Sequence, residues 1–307
     1  MQERLENGLV VRVTGGEVWV RIGQETVACS QRGRSRVRES ALAVVAGDRV
    51  TVLRESAGVG SLEEVLPRNS WLSRYIDRDG SERVVVANID RLFVVAATAD
   101  PPLRYGFVDR VLAAAEWGHI RPCIVINKMD LAEPGQWEEL RAAYAPSLYE
   151  LIPTCAETGE GMAELTGRLG DGVYAFAGES GVGKSSLLNQ LDPELDLVVD
   201  DVAEKTGRGR HTTTNSQLFR FRDGFLADTP GMQTFSFPGT DEYEVVRCFP
   251  DIRHIEGPCR YNPCTHSHEP GCRVKEAVEQ ERIPASRYQS YLDILTGIRE
   301  RAKKKQW

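Results

Sequence analysis

Residues 178–185 read GESGVGKS and fit the pattern G-x-x-x-x-G-K-[ST]. The apolar run VYAFA precedes them, and the helix-forming run KSSLLNQL begins at Lys184, which is the strand, loop and helix context that the pattern requires. Such a loop binds phosphate because its glycines let successive backbone N–H groups face one anion at a helix N-terminus. The chain must therefore contain an α/β unit with a phosphate-binding loop at the carboxyl edge of its sheet.

The residues of this loop are candidate nucleotide ligands. We predict contacts from Gly178, Glu179, Ser180, Gly181, Val182, Gly183, Lys184, Ser185 and Ser186. The Lys184 amine would reach the β- and γ-phosphates and serve catalysis, and the Ser185 hydroxyl would bind Mg²⁺. On its own, the motif indicates an NTPase or a nucleotide-dependent kinase.

The rest of the chain divides into three patterns. Apolar runs at 91–99, 121–128, 173–178 and 224–229 predict parallel strands, and amphipathic runs at 107–118, 136–145 and 162–169 predict helices. Short strand-like runs at 9–14, 17–23, 25–30 and 42–53 predict a small five-stranded barrel of the oligonucleotide-binding (OB) type. The last part is turn-rich and then helical, with a Tyr/Leu stripe at 288, 291, 292, 295 and 298 that we expect in a core.

Charge is unevenly distributed. The net charge is −7, but residues 1–70 hold 10 basic and 9 acidic groups and residues 241–307 hold 12 and 11, so the middle carries the acidic excess. In the barrel, basic residues alternate with other residues at Arg32, Arg34, Arg36 and Arg38. We predict that these arginines bind RNA phosphates; a solvated charge run is the alternative. No run of 18 apolar residues occurs, so we expect no membrane association and a cytoplasmic location.

The tetrapeptide Asn127-Lys128-Met129-Asp130 follows the buried run PCIVI. A carboxylate at Asp130 can accept both N1–H and N2–H of guanine, whereas adenine offers no matching donors. The Lys128 stem can pack along the purine, and Asn127 can tie the base to the phosphate loop. Cys155 and Ala156 follow the next predicted strand and complete the predicted guanine site, which selects GTP.

Two further segments contain residues that can contact the γ-phosphate or its Mg²⁺. Asp228 and Gly231 belong to a DTPG turn after an apolar strand, where Asp228 can hold Mg²⁺ and Gly231 can approach the phosphate. Thr213 lies in a Thr-rich loop and can complete Mg²⁺ coordination, although that loop is alternatively an N-cap or turn.

The C-terminal part contains Cys259, Cys264, His266 and Cys272 within 14 residues. Three thiolates and one imidazole form a closed tetrahedral set suited to one structural Zn²⁺ per chain. His268 is an alternative imidazole, and buried free thiols are the alternative to a metal. We interpret the four other cysteines, Cys29, Cys123, Cys155 and Cys248, as small core residues.

The order of the motifs is unusual, because the guanine motifs precede the phosphate loop. The sequence thereby resembles the circularly permuted GTPases of the RsgA (YjeQ) family across essentially the whole chain. The resemblance implies GTP and GDP as ligands, Mg²⁺, rRNA binding and a role in late maturation of the small ribosomal subunit, and it favours His266 over His268. A serine commonly stands where this chain has Cys155.

Met232 occupies the place where many GTPases have a water-orienting glutamine. A thioether cannot orient water, so we predict slow intrinsic hydrolysis that a partner accelerates. His211, beside the Thr-rich loop, is the candidate for this role, which the resemblance also suggests; an exposed loop histidine is the alternative.

We therefore expect a multidomain α/β protein. Its parts would be an N-terminal OB-type β-barrel (1–68), a central circularly permuted P-loop GTPase domain (69–238) and a C-terminal helical zinc-binding domain (239–307). The predicted function is a monomeric GTPase that binds the small ribosomal subunit. Two other hypotheses compete with this one. The first is an RNA-binding scaffold in which GTP is structural. The second is a phosphotransferase, against which Asp130 and the lack of an acceptor site argue.

Overall fold

The structure is a computed structural model that describes residues 4–14, 17–30, 43–76, 81–195, 217–227, 237 and 241–304. Within these ranges, no helix has the length and apolar character needed to cross a bilayer.

The N-terminal part is a closed β-barrel, as predicted. Its described strands are β1 (Arg4–Thr14), β2 (Glu17–Ile22), β3 (Glu25–Ser30), β4 (Arg49–Ser56) and β5 (Val59–Val65), in the order β1-β2-β3-β5-β4. Every second residue points inward, and valines such as Val18, Val20 and Val50 fill the interior. The strand predicted over 42–53 begins only at Arg49, because residues 46–48 form a turn that reaches outside the barrel.

A hairpin that was not predicted from the sequence follows the barrel. It consists of β6 (Trp71–Ile76) and β7 (Ser81–Ala87). Ala87 donates its N–H to the Ala46 carbonyl of the barrel segment, and Trp71 donates to the Gly118 carbonyl, at 2.9 and 2.8 Å. The hairpin thus joins the barrel to the next domain.

The central sheet has six strands within the described residues. They are β8 (Arg91–Ala97), β9 (Arg121–Asn127), β10 (Glu150–Pro153), β11 (Val173–Gly178), β12 (Leu218–Phe221) and β13 (Gly224–Ala227). Their order is β10-β9-β8-β11-β13-β12; only β12 is antiparallel to its neighbour. The carboxyl ends of the five parallel strands therefore meet at one edge.

Helices cover both faces of this sheet. They are α1 (Tyr105–Trp117), α2 (Gln136–Tyr144), α3 (Met162–Thr166) and α4 (Lys184–Leu191). α1 and α2 contribute to one core and α3 and α4 to the other. Doubly covered parallel strands explain why their sequences are continuously apolar.

The C-terminal part is helical and packs on α1. Its helices are α5 (Pro250–Arg253), α6 (Arg273–Glu279) and α7 (Ala285–Lys304). The predicted stripe lies in its core: Tyr291, Leu295 and Ile298 are buried, and Tyr288 and Leu292 pack against them. Ala113 of α1 belongs to the same core.

A buried ion-pair network joins this part to the central domain. Arg287 of α7 donates to Asp251 of α5 through Nε and a terminal nitrogen, both at 2.9 Å, and to Asp109 of α1 at 2.6 Å. Burial raises the pKa of the Asp109 carboxyl, and the Arg287 guanidinium opposes that rise.

The barrel also touches the outer strand of the sheet. Arg12 of β1 forms an antiparallel backbone bridge with Gln217, immediately before β12. The side chain of Leu9, on the same strand, packs into the core between the sheet and α1.

Candidate guanine nucleotide site and metal centre

The phosphate loop connects β11, which ends at Gly178, to α4, which begins at Lys184. Gly183 has φ = 89°, and a Cβ at this position would overlap the Asn127 amide. Glycine is therefore required here both for the backbone conformation and for the close approach of the guanine motif. Ser185 and Ser186 lie in the first turn of α4.

Lys184 lies beneath the loop. Its Nζ donates to the carbonyl oxygens of Gly178 and Glu179 at 2.9 and 2.6 Å. Burial lowers the pKa of Lys184 to about 8, because a poorly solvated ammonium is less stable than in water. The Glu179 carboxylate pairs with the exposed Arg104 guanidinium at 2.6 Å.

Asn127 connects the phosphate loop to the base side of the site. This buried side chain donates from Nδ2 to the Val182 carbonyl at 2.9 Å. Its Oδ1 accepts the Ala156 N–H at 3.1 Å. The structure therefore brings the residues predicted for phosphate and for guanine together at one sheet edge.

Lys128 and Asp130 follow directly. The Lys128 Nζ donates to the Asp100 carbonyl, in the loop after β8. Asp130 is exposed in a short 3-10 turn, Met129–Leu131. The Cys155 thiol donates to Asp130 Oδ1 at 3.0 Å. Cys155 is thus buried, as the sequence suggested, but it also contacts a predicted guanine ligand.

Several predicted residues lie outside the described part of the chain. They are the candidate RNA ligands Arg32, Arg34, Arg36 and Arg38, the loop residues His211 and Thr213, and the turn residues Asp228, Gly231 and Met232. Strand β13 ends at Ala227, one residue before Asp228, at the same edge as the phosphate loop.

The second site is in the C-terminal part. The ligand atoms of Cys259, Cys264, His266 and Cys272 all lie within 4.8 Å of one another. His268 is outside this group, and its side chain is 77% exposed. Burial lowers the pKa of His266, which favours the neutral imidazole that binds metals. The donor set fits a metal ion with closed tetrahedral coordination.

The metal loop, residues 257–272, is also held in place by side chains that are not metal ligands. Tyr288 and Tyr291 of α7 donate their hydroxyls to the carbonyls of His266 and Thr265 at 2.7 and 2.8 Å. Burial alone would raise the pKa of Glu269, but hydrogen bonds from Thr265 and Ser267 hold the pKa at about 2. The two tyrosine contacts could not be predicted from a motif, because they depend on how the loop packs against a distant helix.

A doubly wound sheet whose guanine motifs precede its phosphate loop defines a P-loop GTPase with circularly permuted strand order. The family model described as RsgA GTPase matches residues 65–238. The small ribosomal subunit biogenesis GTPase RsgA of Gemmatimonas aurantiaca is 40% identical over 94% of this chain and 95% of its own. The same-named protein of Bacillus pumilus is 38% identical over 88% and 89%.

Solved structures are similar over nearly the whole length. The crystal structure of YjeQ from Thermotoga maritima has a TM-score of 0.77 and 32% identity, covering 96% of this chain and 99% of that one. The structure of YloQ, described as a circularly permuted GTPase, has a TM-score of 0.74 and 29% identity, covering 97% and 96%. The chain belongs to the RsgA GTPase family and is a GTP-hydrolysing enzyme.

Proposed function

We propose that this GTPase binds the small ribosomal subunit and hydrolyses GTP, stimulated by the subunit, during late small-subunit maturation in the cytoplasm. The observation that carries the nucleotide part is the Asn127 side chain, which joins Val182 of the phosphate loop to Ala156 of the base site. The names of the curated relatives support the ribosomal part.

In this proposal, Asp130 reads the N1–H and N2–H groups of guanine, Lys128 packs along the purine, and Cys155 and Ala156 complete the base site. The loop from Gly178 to Ser186 holds the phosphates of GTP or GDP. Ser185, Thr213 and Asp228 would hold Mg²⁺, which would supply positive charge to offset the negative charge that develops during hydrolysis. The Ser185 hydroxyl suits this role because it lies in the first turn of α4, beside Lys184.

For hydrolysis, we assign His211 to positioning the attacking water and Lys184 to stabilising the charge on the phosphates. Thr213 would act beside the γ-phosphate. Met232 cannot orient water, so hydrolysis would depend on the bound partner, with His211 positioning the water in the complex. A His211→Ala variant is expected to bind GTP normally and to lose most subunit-stimulated hydrolysis.

The metal of the C-terminal cluster is proposed to be zinc, one per chain. Three thiolates and an imidazole are typical of structural zinc, and four protein ligands leave no open coordination position, so the metal takes no part in catalysis. Elemental analysis of the purified protein tests this assignment.

We propose domains at 1–68, 69–238 and 239–307, with a monomer as the working form. The arginines at 32, 34, 36 and 38 would bind rRNA phosphates. Neutralising all four is expected to weaken subunit binding and to reduce its salt dependence; an unchanged salt slope would remove this loop from the interface.

The decisive experiment measures GTP hydrolysis with Mg²⁺, with and without small ribosomal subunits, and with ATP as the control. Strong stimulation that is restricted to GTP is the expected result. GTP hydrolysis unaffected by subunits would contradict the proposed partner and favour a scaffold in which GTP is structural.

A further inference from the structure

The segment between β8 and α1, residues 98–104, lies against the phosphate loop. The Asp100 carbonyl accepts the Lys128 ammonium. Pro101 Cδ lies 3.4 Å from the point that a Cβ on Gly181 would occupy. The segment ends at Arg104, whose guanidinium pairs with the Glu179 carboxylate of the phosphate loop at 2.6 Å. A basic side chain outside every nucleotide motif is therefore in direct contact with the loop that would hold the phosphates.

Arg104 is an unfavourable residue for its place in the fold. It is the N-cap of α1, and its side chain makes no capping hydrogen bond. N-cap positions favour Ser, Thr, Asp or Asn, whose oxygens accept from the first free N–H groups of the helix. A cation at this end is also opposed by the helix dipole. Such conflicts between a residue and its local structure are expected at functional positions.

Glu179 has the wrong charge for an anion-binding loop. Its carbonyl accepts from Lys184 Nζ at 2.6 Å, and this nitrogen is the one expected to reach the β- and γ-phosphates. The Glu179 side chain is only 20% exposed, so water screens its charge incompletely. A carboxylate without a counter-charge at this position would repel the phosphates, and the repulsion would increase with the negative charge of the nucleotide.

The two unfavourable residues offset each other, because the guanidinium of Arg104 neutralises the carboxylate of Glu179. The Arg104 side chain is 70% exposed, and exposed ion pairs contribute little to the stability of a fold. The main effect of this pair is therefore on the electrostatic potential at the phosphate site. GTP carries one more negative charge than GDP, so a change in that potential alters GTP binding more than GDP binding.

We propose that Arg104 is a specificity-determining residue that raises the affinity for GTP relative to GDP, because it offsets the Glu179 carboxylate beside the phosphates. This inference rests on the proposed function of the same site. It adds the segment before α1 to the parts of the chain that decide which nucleotide the protein binds more tightly, and it gives a reason for the acidic residue in the phosphate loop to be tolerated.

The test compares the dissociation constants of GDP and of the β,γ-imido analogue of GTP, which is not hydrolysed, at constant Mg²⁺. Arg104→Gln is expected to weaken binding of the analogue about fivefold more than binding of GDP. Glu179→Gln should shift the ratio of the two constants in the opposite direction. The double variant should return the ratio to the wild-type value, because both charges are gone. Arg104→Lys keeps the positive charge and should retain most of the ratio.

The chain offers a matched control pair in its C-terminal part. Arg247 pairs with Glu244 at 2.9 Å, and its side chain is 69% exposed. Arg247→Gln makes the same change of charge as Arg104→Gln and should leave the ratio of the two dissociation constants unchanged. A second readout is salt. At about 1 M ionic strength the Debye length falls to about 3 Å, so the effect of Arg104→Gln on the ratio should largely disappear.

A wild-type protein that binds neither nucleotide would overturn the proposed function and this inference with it. Three results would overturn the inference alone. The first is an Arg104→Gln variant that binds both nucleotides as the wild type does or loses both equally, since the residue would then have no role or only support the loop. The second is a double variant that does not recover the wild-type ratio. The third is an effect of Arg104→Gln that is insensitive to salt.

Discussion

Lys184 is the residue whose charge is most directly tied to ligand binding. Its ammonium donates to two backbone carbonyls, and burial lowers its pKa to about 8. Phosphate oxygens would favour the charged form, so the pKa of Lys184 must rise when a nucleotide binds. The direction of the resulting pH dependence follows from that difference.

Below pH 8 the free protein already carries the Lys184 proton, and GDP affinity should depend little on pH. Above pH 8 the free amine is neutral and binding must take up a proton, so GDP affinity should fall by about tenfold per pH unit. Equilibrium binding of GDP between pH 7 and 9 measures this. Guanosine, which has no phosphate, is the control; an equal slope for both ligands would contradict the assignment.

For individual residues, the sequence predicted the ligands that belong to short, local motifs. The phosphate-loop and guanine motifs, and the four candidate metal ligands, each occupy short stretches of chain, and the structure brings the members of each group that it describes together. Arg287 was not identified from the sequence, because it contacts partners that are determined by packing. Asp109 and Arg287, for example, are 178 residues apart, a distance over which no periodicity or spacing operates.

The folding of the metal loop depends more on its metal ligands than on an apolar core, because a short turn-rich segment has few other stabilising contacts. We predict that His266→Ala loses the bound metal and that His268→Ala keeps it. Elemental analysis of the two purified variants measures this. His268 is the matched control because it lies in the same loop but outside the cluster; metal retained by the His266 variant would contradict the ligand set.

The last turns of α7 contact Phe237, which follows the predicted DTPG turn in the sequence. Arg301 donates to the Phe237 carbonyl at 2.7 Å and lies 4.3 Å from the centre of the Tyr75 ring of β6. Phe237 itself packs edge-on against Trp117 at the end of α1, with ring centroids 5.5 Å apart. One side chain therefore ties α7 to the hairpin and to residue 237.

Removing this tie should loosen the region locally. We predict that Arg301→Ala speeds amide hydrogen exchange about tenfold in peptides that cover Phe237 and the end of α7, because a hydrogen bond to a charged group and a cation–π contact are lost together. Lys303→Ala, an exposed change two residues further along α7, is the control. Equal exchange in both variants would show that Arg301 carries no such role.

For the whole molecule, the Arg287 network determines how the C-terminal part attaches to the central domain. Arg287→Met would leave the buried Asp109 and Asp251 carboxylates without a counter-charge. We predict a loss of about 3–5 kcal/mol in the free energy of unfolding, measured by urea titration, and almost none for the exposed Arg273→Met.

Arg287→Lys extends that test. A lysine ammonium cannot reproduce the paired contacts of a planar guanidinium with Asp251, so this variant should also be clearly destabilised. A Lys variant as stable as the wild type would mean that charge alone, and not the fork geometry, holds the junction.

The architecture of the whole chain was largely predictable, because alternating apolar residues indicate a barrel and continuous apolar runs indicate covered parallel strands. The β6–β7 hairpin and the short strand β12 were not predicted. A strand of four residues such as β12 carries too little periodicity to be distinguished from a loop, and its position is fixed by its neighbour β13 in the sheet.

The backbone bridge between Arg12 and Gln217 has a consequence for solubility. Among the strands that the structure describes, β12 is the last on its side of the sheet, and an uncovered strand of this kind can pair with another molecule. In the intact chain, the first barrel strand lies against the start of that strand. The barrel is therefore expected to limit self-association. A chain shortened to remove the barrel would be prone to aggregate through β12.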